Sequence, residues 1–429
     1  MNVSLAYGRG HVTVDLPDDR TTVITPSPKA GLADERVAVI HALEHPIGLP
    51  ALRSLISRRT RITIIFSDIT RPTPNDRIIP WLLAYLDNLV DRDQITLLNS
   101  TGTHRPNTRE ELEQMLTPEV VANYRVLNHE CEQEEDMVAF GTTRGGEPAL
   151  INRHVAEADL RIVTGFIEPH FFAGFSGGPK GIMPGCAGLR TVMSNHGAEH
   201  ISHPSATFGI THGNPLWEDL LAIALRVGPS FLLNVTLNEE RRITGVFAGD
   251  IVQAHTEGCE FTRSTAMQPV HEPFDIVLTT NSGYPLDQNL YQGVKGMSAA
   301  ARIVKSEGLI ILACECSDGT PAGSPYEKLL HSASSPEELL AMLASPGYVR
   351  PEQWQGQVQA VIQKRAKVRL YSNLPDPVVR ACHLEPCHDI EQEVGEELAR
   401  LNDAARVAVL PFGPLTVPYL RAADVPASP

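Results

Sequence analysis

A repeated order of elements constrains the fold more than any other feature: a short apolar run, a polar loop, then an amphipathic helix. Arg61–Phe66 (RITIIF) predicts a buried strand, and residues 67–74 (SDITRPTP) separate it from a helix that begins near Asn75. Further strands are predicted at Gln94–Leu98 (QITLL) and Asp159–Thr164 (DLRIVT). Strands that alternate with helices are typical of an α/β protein with mostly parallel sheets.

A polar loop follows the carboxyl end of each of these strands. The loops are residues 67–74, residues 99–107 (NSTGTHRPN) and the glycine-rich residues 170–185 (HFFAGFSGGPKGIMPG). Open α/β sheets bind their ligands at this edge. We therefore expect the three loops to meet in one crevice.

A second set of strands indicates a second domain. These strands are predicted at 275–280 (DIVLTT), 308–316 (GLIILACEC) and 366–371 (AKVRLY). A chain of 429 residues is also longer than one ordinary hydrophobic core supports. The sequence therefore predicts two α/β domains, residues 1–272 and residues 273–403. A last strand at 406–411 (RVAVLP) can return to the first domain, which residues 404–429 would then complete.

Charge and cysteine content bear on partners and location. The formal net charge is −15, so the overall field repels nucleic acids and acidic membranes. No apolar run reaches the roughly 18 residues of a membrane-spanning helix, and the opening MNVSLAYGRGHVTVDL predicts a hairpin rather than a signal peptide. The seven cysteines include no CxxC pair, which favours reduced thiols and a cytoplasmic protein.

The glycine-rich loop carries a single lysine, Lys180. An ordinary P-loop is disfavoured, because Pro179 precedes this lysine and Gly181 follows it where GK[ST] is required. Glycines let a backbone approach a ligand closely. A lysine held there can bind phosphate as a point charge or attack a carbonyl carbon as an amine. A functional role for Lys180 is therefore favoured over that of a solvated surface lysine.

Three histidines occupy similar loop positions: His104 in GTHRP, His170 in EPHFF and His196 in SNHG. Each lies at or shortly after the end of a strand that is predicted to reach the same edge. Two interpretations stay open. The three are zinc ligands, or one is a metal ligand and the other two are acid–base groups.

Charged residues complete the candidate set. Asp68 and Arg71 lie three residues apart, and the planar guanidinium suits a carboxylate or phosphate. A predicted helix that begins at YQGVK places Tyr291, Gln292 and Lys295 on one face, which suits a small anion at a domain seam. The alternatives without function are an Asp–Arg pair that caps a helix and an exposed helix lysine.

Taken together, these motifs resemble the nickel-pincer-nucleotide lactate racemase family. The motifs are SDITRPTP, GTHRP, H-x2-AGFSGGPKGIMPG, SNHG and YQGVKGMSAA, in this order and spacing. The resemblance runs from about residue 60 to about residue 300, with a weaker similarity at Trp354 and the final strand. It implies two α/β domains with the active site in the cleft between them.

The resemblance also implies a cofactor, a sulfur-substituted pyridinium mononucleotide that holds nickel. Lys180 matches the lysine that bonds covalently to it, and His196 matches the histidine that ligates nickel. The other implied cofactor-binding residues are Asp68, Thr70, Ser176, Gly177, Gly178 and Trp354. Cofactor-biosynthesis proteins are the implied partners.

The implied reaction inverts the α-carbon of lactate or a related 2-hydroxy acid. His104 and His170 match the two acid–base histidines, and Arg71 and Lys295 match catalytic basic residues that also bind substrate. Tyr291 and Gln292 match further substrate-binding residues. Removing hydride gives a planar 2-keto acid, to which hydride returns on either face, and the cofactor carries that step. Each enantiomer presents its hydroxyl differently, so two bases near neutrality are expected.

Three alternatives accompany this interpretation. The same chemistry can act on a larger 2-hydroxy acid, such as a dicarboxylic, aromatic or sugar acid. A non-catalytic protein can bind a 2-hydroxy acid or nucleotide on the same scaffold. A zinc hydrolase can use the three histidines, although the sequence has no HExxH and these three are not closely spaced with one another.

Overall fold

The computed structural model describes residues 1–27, 29–345 and 347–421. The strands are β1 (Asn2–Tyr7), β2 (Gly10–Asp15), β3 (Thr21–Val23), β4 (Ile62–Ser67), β5 (Ile95–Ser100), β6 (Arg125–Asn128), β7 (Met137–Thr142), β8 (Pro148–Asn152), β9 (Leu160–Phe166), β10 (Pro169–His170), β11 (Gly174–Phe175), β12 (Ser230–Leu237), β13 (Ile243–Asp250), β14 (Met267–Val270), β15 (Phe274–Thr280), β16 (Val304–Ala313), β17 (Lys367–Tyr371), β18 (Glu385–Cys387), β19 (Val407–Leu410) and β20 (Val417–Leu420).

Helices connect most of these strands. They are α1 (Glu35–Glu44), α2 (Asn75–Leu86), α3 (Arg109–Leu116), α4 (Pro118–Asn123), α5 (Arg153–Ala156), α6 (Leu189–Asn195), α7 (Ala198–Ser202), α8 (Pro215–Arg226), α9 (Gln253–Ala266), α10 (Leu290–Ala300), α11 (Pro325–His331), α12 (Pro336–Leu343), α13 (Gln353–Arg365), α14 (Asp376–Ala381) and α15 (Ile390–Arg400). Short 3-10 turns occur at Leu52–Leu55, Arg92–Gln94, Glu134–Asp136, Gly178–Gly181 and Gly413–Leu415.

The chain forms two compact units. The central unit runs from Pro28 to Ser264, and the terminal unit combines Met1–Ser27 with the chain from Thr265 onward. This division differs from the expected domains 1–272 and 273–403, because the first 27 residues belong with the C-terminal half. The hairpin β1–β2 buries Val3, Leu5 and Val14 in the same hydrophobic cluster as β15 and β16, which explains the difference.

The central unit contains a six-stranded sheet in the order β13-β12-β9-β4-β5-β6. Only the edge pair β12–β13 is antiparallel. β4 is apolar and buried along most of its length, as a strand covered on both faces must be. It lies between β5 and β9, so the three strands with polar loops are neighbours, and their carboxyl ends reach one edge of the sheet.

The terminal unit contains a second six-stranded sheet, in the order β18-β17-β16-β15-β19-β3, in which every pair is parallel. The last predicted strand, β19, lies between β15 and β3. It therefore does not complete the first domain, as residues 404–429 were expected to do. All four of its residues are buried, so the apolar run needs a neighbour on each side. Residues 422–429 of that range lie outside the described part of the chain.

The predicted fold class, α/β with mostly parallel sheets, is confirmed. The helix predicted near Asn75 begins at that residue. The side chain of Thr108 accepts a hydrogen bond from the Glu111 amide and the Glu111 carboxylate reaches back to the Thr108 amide, which fixes the start of α3. Within the described residues, no helix combines the length and apolar character that a bilayer crossing requires. The seven cysteines are free thiols.

Candidate active site

Asp68 and His104 form a hydrogen-bonded pair at the carboxyl ends of β4 and β5. Nδ1 of His104 lies 2.7 Å from Oδ2 of Asp68, and the Thr70 hydroxyl donates to the other carboxylate oxygen at 2.7 Å. A carboxylate accepts hydrogen bonds, so the proton of the neutral imidazole resides on Nδ1. Nε2 of His104 then presents a lone pair. The two loops therefore meet, as the sequence predicts.

The Asp68 carboxylate stays ionised although it is buried. Burial alone would raise the pKa of this carboxyl group, but the charge and hydrogen bond of His104, with Arg71 and Thr70, hold the pKa below its ordinary value. The side chain of Asp68 is 4% exposed and that of His104 is 32% exposed. The buried charge thus orients a histidine that solvent and ligands can reach.

Arg71 lies on the turn that begins at Asp68, where its amide donates to the Asp68 carbonyl oxygen at 3.1 Å. Its charge contributes to the low pKa of Asp68. The side chain of Arg71 is half-buried, and its charge acts on this carboxylate. A planar fork with five N–H donors is therefore available for an anionic ligand.

His170 lies in the two-residue strand β10, which pairs with β11 in a tight hairpin. The Ala173 amide donates to its Nδ1 at 3.2 Å, and the Phe172 amide approaches the same atom at 3.5 Å. The neutral ring therefore carries its proton on Nε2, the opposite tautomer to that of His104. His170 is buried.

Phe172 links three of the predicted site residues. Its ring meets the ring of His170 edge to face, with centroids 4.5 Å apart, and that of His196 with centroids 5.2 Å apart. Nζ of Lys180 lies 5.7 Å from the centroid of the Phe172 ring, within cation–π range. The two histidines and the lysine of the glycine-rich motifs therefore converge on one aromatic side chain.

His196 follows the last residue of α6 and is buried. Burial, together with the nearby charge of Lys180, lowers the pKa of this imidazole from 6.5 to about 3. The ring is therefore neutral at physiological pH. A neutral imidazole is the form that ligates a metal ion.

The backbone before Lys180 needs glycine at two positions. Gly177 and Gly178 have φ angles of +74° and +56°. A Cβ atom on Gly177 would lie 2.4 Å from Oδ1 of Asn234, and one on Gly178 would lie 2.5 Å from Cδ2 of His255. The two glycines are thus required by the turn and by packing inside the protein.

Ser176 also makes its contacts within the protein. Its hydroxyl donates to the Phe166 carbonyl oxygen at 3.1 Å and accepts from the Glu168 amide at 3.0 Å. These bonds attach the loop to the end of β9. A second attachment joins two motifs, because the Gly102 amide donates to the Gly185 carbonyl oxygen at 3.0 Å. The loop of His104 therefore lies against the end of the glycine-rich loop.

The remaining candidates lie in the terminal unit. Tyr291, Gln292 and Lys295 are half-buried on one face of α10, as the spacing predicts. Trp354 is buried at the start of α13, and its indole N–H donates to the hydroxyl of Tyr291 at 3.2 Å. The side chain of the next residue, Gln355, donates to the Tyr291 carbonyl oxygen. Two consecutive residues of α13 thus hold Tyr291 at both ends.

The zinc-hydrolase alternative finds no support in the arrangement of side chains. Within residues 1–27, 29–345 and 347–421, no three His, Cys, Asp or Glu residues lie close enough together to hold a metal ion. His104 pairs with Asp68, whereas His170 and His196 contact Phe172. The three histidines therefore do not form one set of protein ligands.

Three residues that hold this site together were not among the candidates predicted from the sequence: Phe172, Asn234 and His255. Phe172 lies inside a quoted motif, and its position two residues after His170 was the available signal. Asn234 and His255 contact the glycine-rich loop from 56 and 79 residues along the chain. No local pattern marks such contacts.

The sequence of this chain matches two domains of one known protein family. The lactate racemase N-terminal domain matches residues 7–209, and the lactate racemase C-terminal domain matches residues 270–417. The chain belongs to the lactate racemase family. It is therefore an isomerase of that family, as the motifs predict.

Individual members of the lactate racemase family match almost the whole chain. A lactate racemase of Thermoanaerobacterium thermosaccharolyticum is 35% identical over 419 residues, which cover 96% of this chain and 98% of that protein. A lactate racemase of Lactiplantibacillus plantarum is 37% identical over 419 residues, which cover 94% of this chain and 98% of that protein.

Solved structures agree with this assignment. The lactate racemase apoprotein from T. thermosaccharolyticum has a TM-score of 0.91 to this chain at 34% identity, covering 97% of this chain and 100% of that one. A protein from Thermotoga maritima has a TM-score of 0.69 at 19% identity, covering 92% of this chain and 100% of that one. At that identity the second likeness shows the fold alone.

Proposed function

We propose that this member of the lactate racemase family inverts the α-carbon of a 2-hydroxy acid, lactate or a related acid, with a nickel-pincer nucleotide bonded to Lys180. The protein would act in the cytoplasm, where its thiols stay reduced, and would receive its cofactor from cofactor-making proteins. When bound, the cofactor supplies an electron-poor ring that accepts hydride from the substrate carbon and returns it. The residues of this chain would bind the cofactor and the substrate and transfer the hydroxyl proton.

The chemistry of the donor set fits this cofactor. Lys180 supplies an amine for the covalent bond, and His196 supplies a neutral imidazole for nickel, since its pKa is lowered to about 3. Both side chains approach the ring of Phe172. This convergence of an amine and a neutral, buried imidazole is the single observation that carries the proposal. The cofactor-binding roles of Asp68, Thr70 and Trp354 belong to the same proposal.

His104 serves as a proton acceptor for the substrate hydroxyl. The hydrogen bond from Nδ1 to Asp68 leaves the Nε2 lone pair to take that proton, and the carboxylate stabilises the imidazolium that forms. His170 is its counterpart for the opposite enantiomer: its Nε2–H, fixed by the amides that donate to Nδ1, supplies a proton to the substrate oxygen as hydride returns. Exchange with solvent then removes the proton that His104 gained and restores the one that His170 gave up. The 2-keto acid that forms between the two halves of the reaction is planar at the α-carbon. Hydride can therefore return to either face, and either configuration of the α-carbon can result.

Arg71 holds the substrate carboxylate while the keto acid reorients. Its guanidinium lies near enough to Asp68 for its charge to act on that carboxylate, and it can bind two oxygens at once. Lys295, Tyr291 and Gln292 of the terminal unit are the further substrate-binding residues. Holding the carboxylate keeps the reacting carbon in place during both halves of the reaction.

Covalent loading tests the proposal directly. The chain is coexpressed with the cofactor-making enzymes, and intact mass spectrometry is expected to show an adduct on the wild-type protein and none on Lys180→Ala. Lys328→Ala, which removes an exposed lysine on α11, is the control and keeps the adduct. An adduct that persists on Lys180→Ala would assign the attachment to another residue.

The fate of the α-hydrogen tests the reaction. Loaded protein is given one enantiomer of lactate that carries deuterium on the α-carbon, in ordinary water. Hydride transfer predicts that the inverted product keeps its deuterium. Complete loss of the label to water would instead indicate proton abstraction. Repeating the assay with enantiopure dicarboxylic, aromatic and sugar 2-hydroxy acids then identifies the substrate side chain, and absence of inversion with every acid would favour a binding protein.

A further inference from the structure

A buried histidine on α9, His255, donates a hydrogen bond to the loop that carries Lys180. Nε2 of His255 lies 2.8 Å from the carbonyl oxygen of Ser176. The imidazole is stacked on the indole of Trp217, with centroids 5.1 Å apart and planes 18° from parallel. The ring contact fixes the plane of the imidazole, and the hydrogen bond reaches the loop at Ser176, four residues before Lys180.

The hydrogen bonds of His255 select one tautomer. A carbonyl oxygen only accepts, so Nε2 carries the proton and Nδ1 is an acceptor. The thiol of Cys259, one helical turn further along α9, lies 3.4 Å from Nδ1. Burial raises the pKa of this thiol, which therefore keeps its proton and can donate it. Hydrogen-bond donation therefore runs in one direction, from Cys259 to His255 and from His255 to Ser176.

Asn234 on β12 holds the next part of the same loop. The Gly178 amide donates to Oδ1 of Asn234 at 2.7 Å, and Nδ2 of Asn234 donates to the Val163 carbonyl oxygen at 3.2 Å. Gly178 also packs directly against the ring of His255. The backbone from Ser176 to Gly178 is therefore held at both ends by side chains of the sheet and of α9.

We propose that His255 is a positioning residue for the covalent attachment of the cofactor: it holds the Ser176–Gly178 backbone so that the Lys180 amine is presented to the cofactor. The inference rests on the proposed function of Lys180. It follows from the short connection. Ser176 stays attached to β9 through its hydroxyl, but without His255 its carbonyl oxygen is no longer held, and the peptide that leads to Lys180 can rotate and turn the lysine away from the ring of Phe172. A 1 Å displacement of a reacting group is enough to slow a reaction substantially.

Two substitutions at the same position separate the hydrogen bond from the ring. His255→Phe keeps an aromatic ring beside Trp217 but has no donor for Ser176. His255→Gln loses the ring but keeps an amide N–H that can reach the carbonyl oxygen. After coexpression with the cofactor-making enzymes, we expect the fraction of protein with adduct to fall at least about fivefold in His255→Phe. We expect His255→Gln to recover most of it.

His129→Phe is the matched control for general destabilisation. His129 is also a buried histidine, and its Nε2 donates to the Ala187 carbonyl oxygen at 3.0 Å. We expect this variant to lose stability but to keep the wild-type fraction of adduct. Equal loading of His255→Phe and wild type would overturn the inference, as would equal loss in His129→Phe or failure of His255→Gln to recover loading.

Hydrogen exchange on the apoprotein tests the holding of the loop without any cofactor. We expect the amides of Gly178 and Lys180 to exchange faster in His255→Phe than in wild type and to be slowed again in His255→Gln. Unchanged exchange in His255→Phe would overturn the inference. Wild-type protein that carries no adduct at all would instead overturn the proposed function, and so the two failures are distinguishable.

Discussion

The carboxylate of Asp68 accepts a hydrogen bond from Nδ1 of His104 at 2.7 Å, across two neighbouring strand ends of one sheet. This contact assigns the tautomer of His104 and leaves Nε2 as the basic atom. In the proposed reaction, the buried negative charge of Asp68 would compensate the imidazolium that proton transfer to His104 creates.

Asp68→Asn is expected to lower the racemisation rate by roughly 10²- to 10⁴-fold, the range in which a positioned acid–base group contributes. The amide occupies the same space but can donate to Nδ1, which favours the wrong tautomer of His104. Chiral chromatography of the product measures the rate. Asp76→Asn is the control, since it removes an exposed carboxylate in the first turn of α2, and its loss is expected to stay below about tenfold. Comparable losses in the two variants would contradict this role of Asp68.

The three histidines are expected to separate into two classes of variant. His104→Ala and His170→Ala should each lower turnover by roughly 10²-fold or more while the protein retains nickel, because neither is proposed to bind metal. His196→Ala should lose nickel and keep the covalent adduct on Lys180. Metal analysis and intact mass spectrometry on the same samples distinguish these outcomes. Loss of nickel from His104→Ala or His170→Ala would reassign that residue as a ligand.

Arg71→Lys tests the planar fork. The substitution keeps the positive charge but removes the two-point hydrogen bonding to a carboxylate, so kcat/KM is expected to fall by about 10- to 100-fold. Arg105→Lys in the neighbouring loop is the control, because that guanidinium already binds Glu111 at 2.6 Å. Its kinetics should stay close to those of the wild type. Unchanged kcat/KM in Arg71→Lys would show that charge alone is sufficient.

The contact between Trp354 and Tyr291 predicts a measurable coupling within the terminal unit. Tyr291→Phe removes the oxygen that accepts the Trp354 indole N–H at 3.2 Å, and Trp354→Phe removes the donor. Urea unfolding of both single variants and the double variant should give a coupling of about 0.5–1.5 kcal/mol, the usual net value of one hydrogen bond. If the changes in the free energy of unfolding of the two single variants add up to that of the double variant, the hydrogen bond contributes nothing to stability.

Much of the site could be predicted because its parts are local. β4, β5 and β9 are short apolar runs, and parallel order places their carboxyl ends together without knowledge of any individual contact. Asp68 and His104 then meet because each lies just beyond such an end. The same rule could not assign the first 27 residues to their unit, since β3 has only three residues and pairs with a strand almost four hundred residues away.

The role of the glycines was harder to predict. Their number in the loop suggests close approach of a ligand, whereas Gly177 and Gly178 pack against Asn234 and His255. Both partners lie on elements far along the chain, and their side chains have ordinary sequence contexts. Which neighbour excludes a Cβ atom depends on tertiary packing, and a single sequence does not contain that information.

Buried neutral histidines should make stability fall as the pH falls. Burial lowers the pKa of His255 from 6.5 to about 4, with the charge of Lys180 acting in the same direction. Below pH 6.5 the unfolded chain therefore binds a proton that the folded chain does not, and the folded state loses stability until the pH approaches 4. One such group contributes a slope of up to about 1.4 kcal/mol per pH unit in this window.

His255→Gln should remove that slope. Urea unfolding of the apoprotein at several pH values between about 4.5 and 7.5 measures it, and the stability of the variant should depend less on pH than that of the wild type. His129→Gln is expected to act similarly, because burial lowers the pKa of His129 to about 4. His388→Gln, which removes an imidazole whose side chain is 75% exposed, is the control for substitution of a surface histidine. If the wild-type and His255→Gln curves run parallel between pH 6.5 and 4.5, His255 takes up its proton equally in the folded and unfolded chains and is not a buried neutral imidazole over that range.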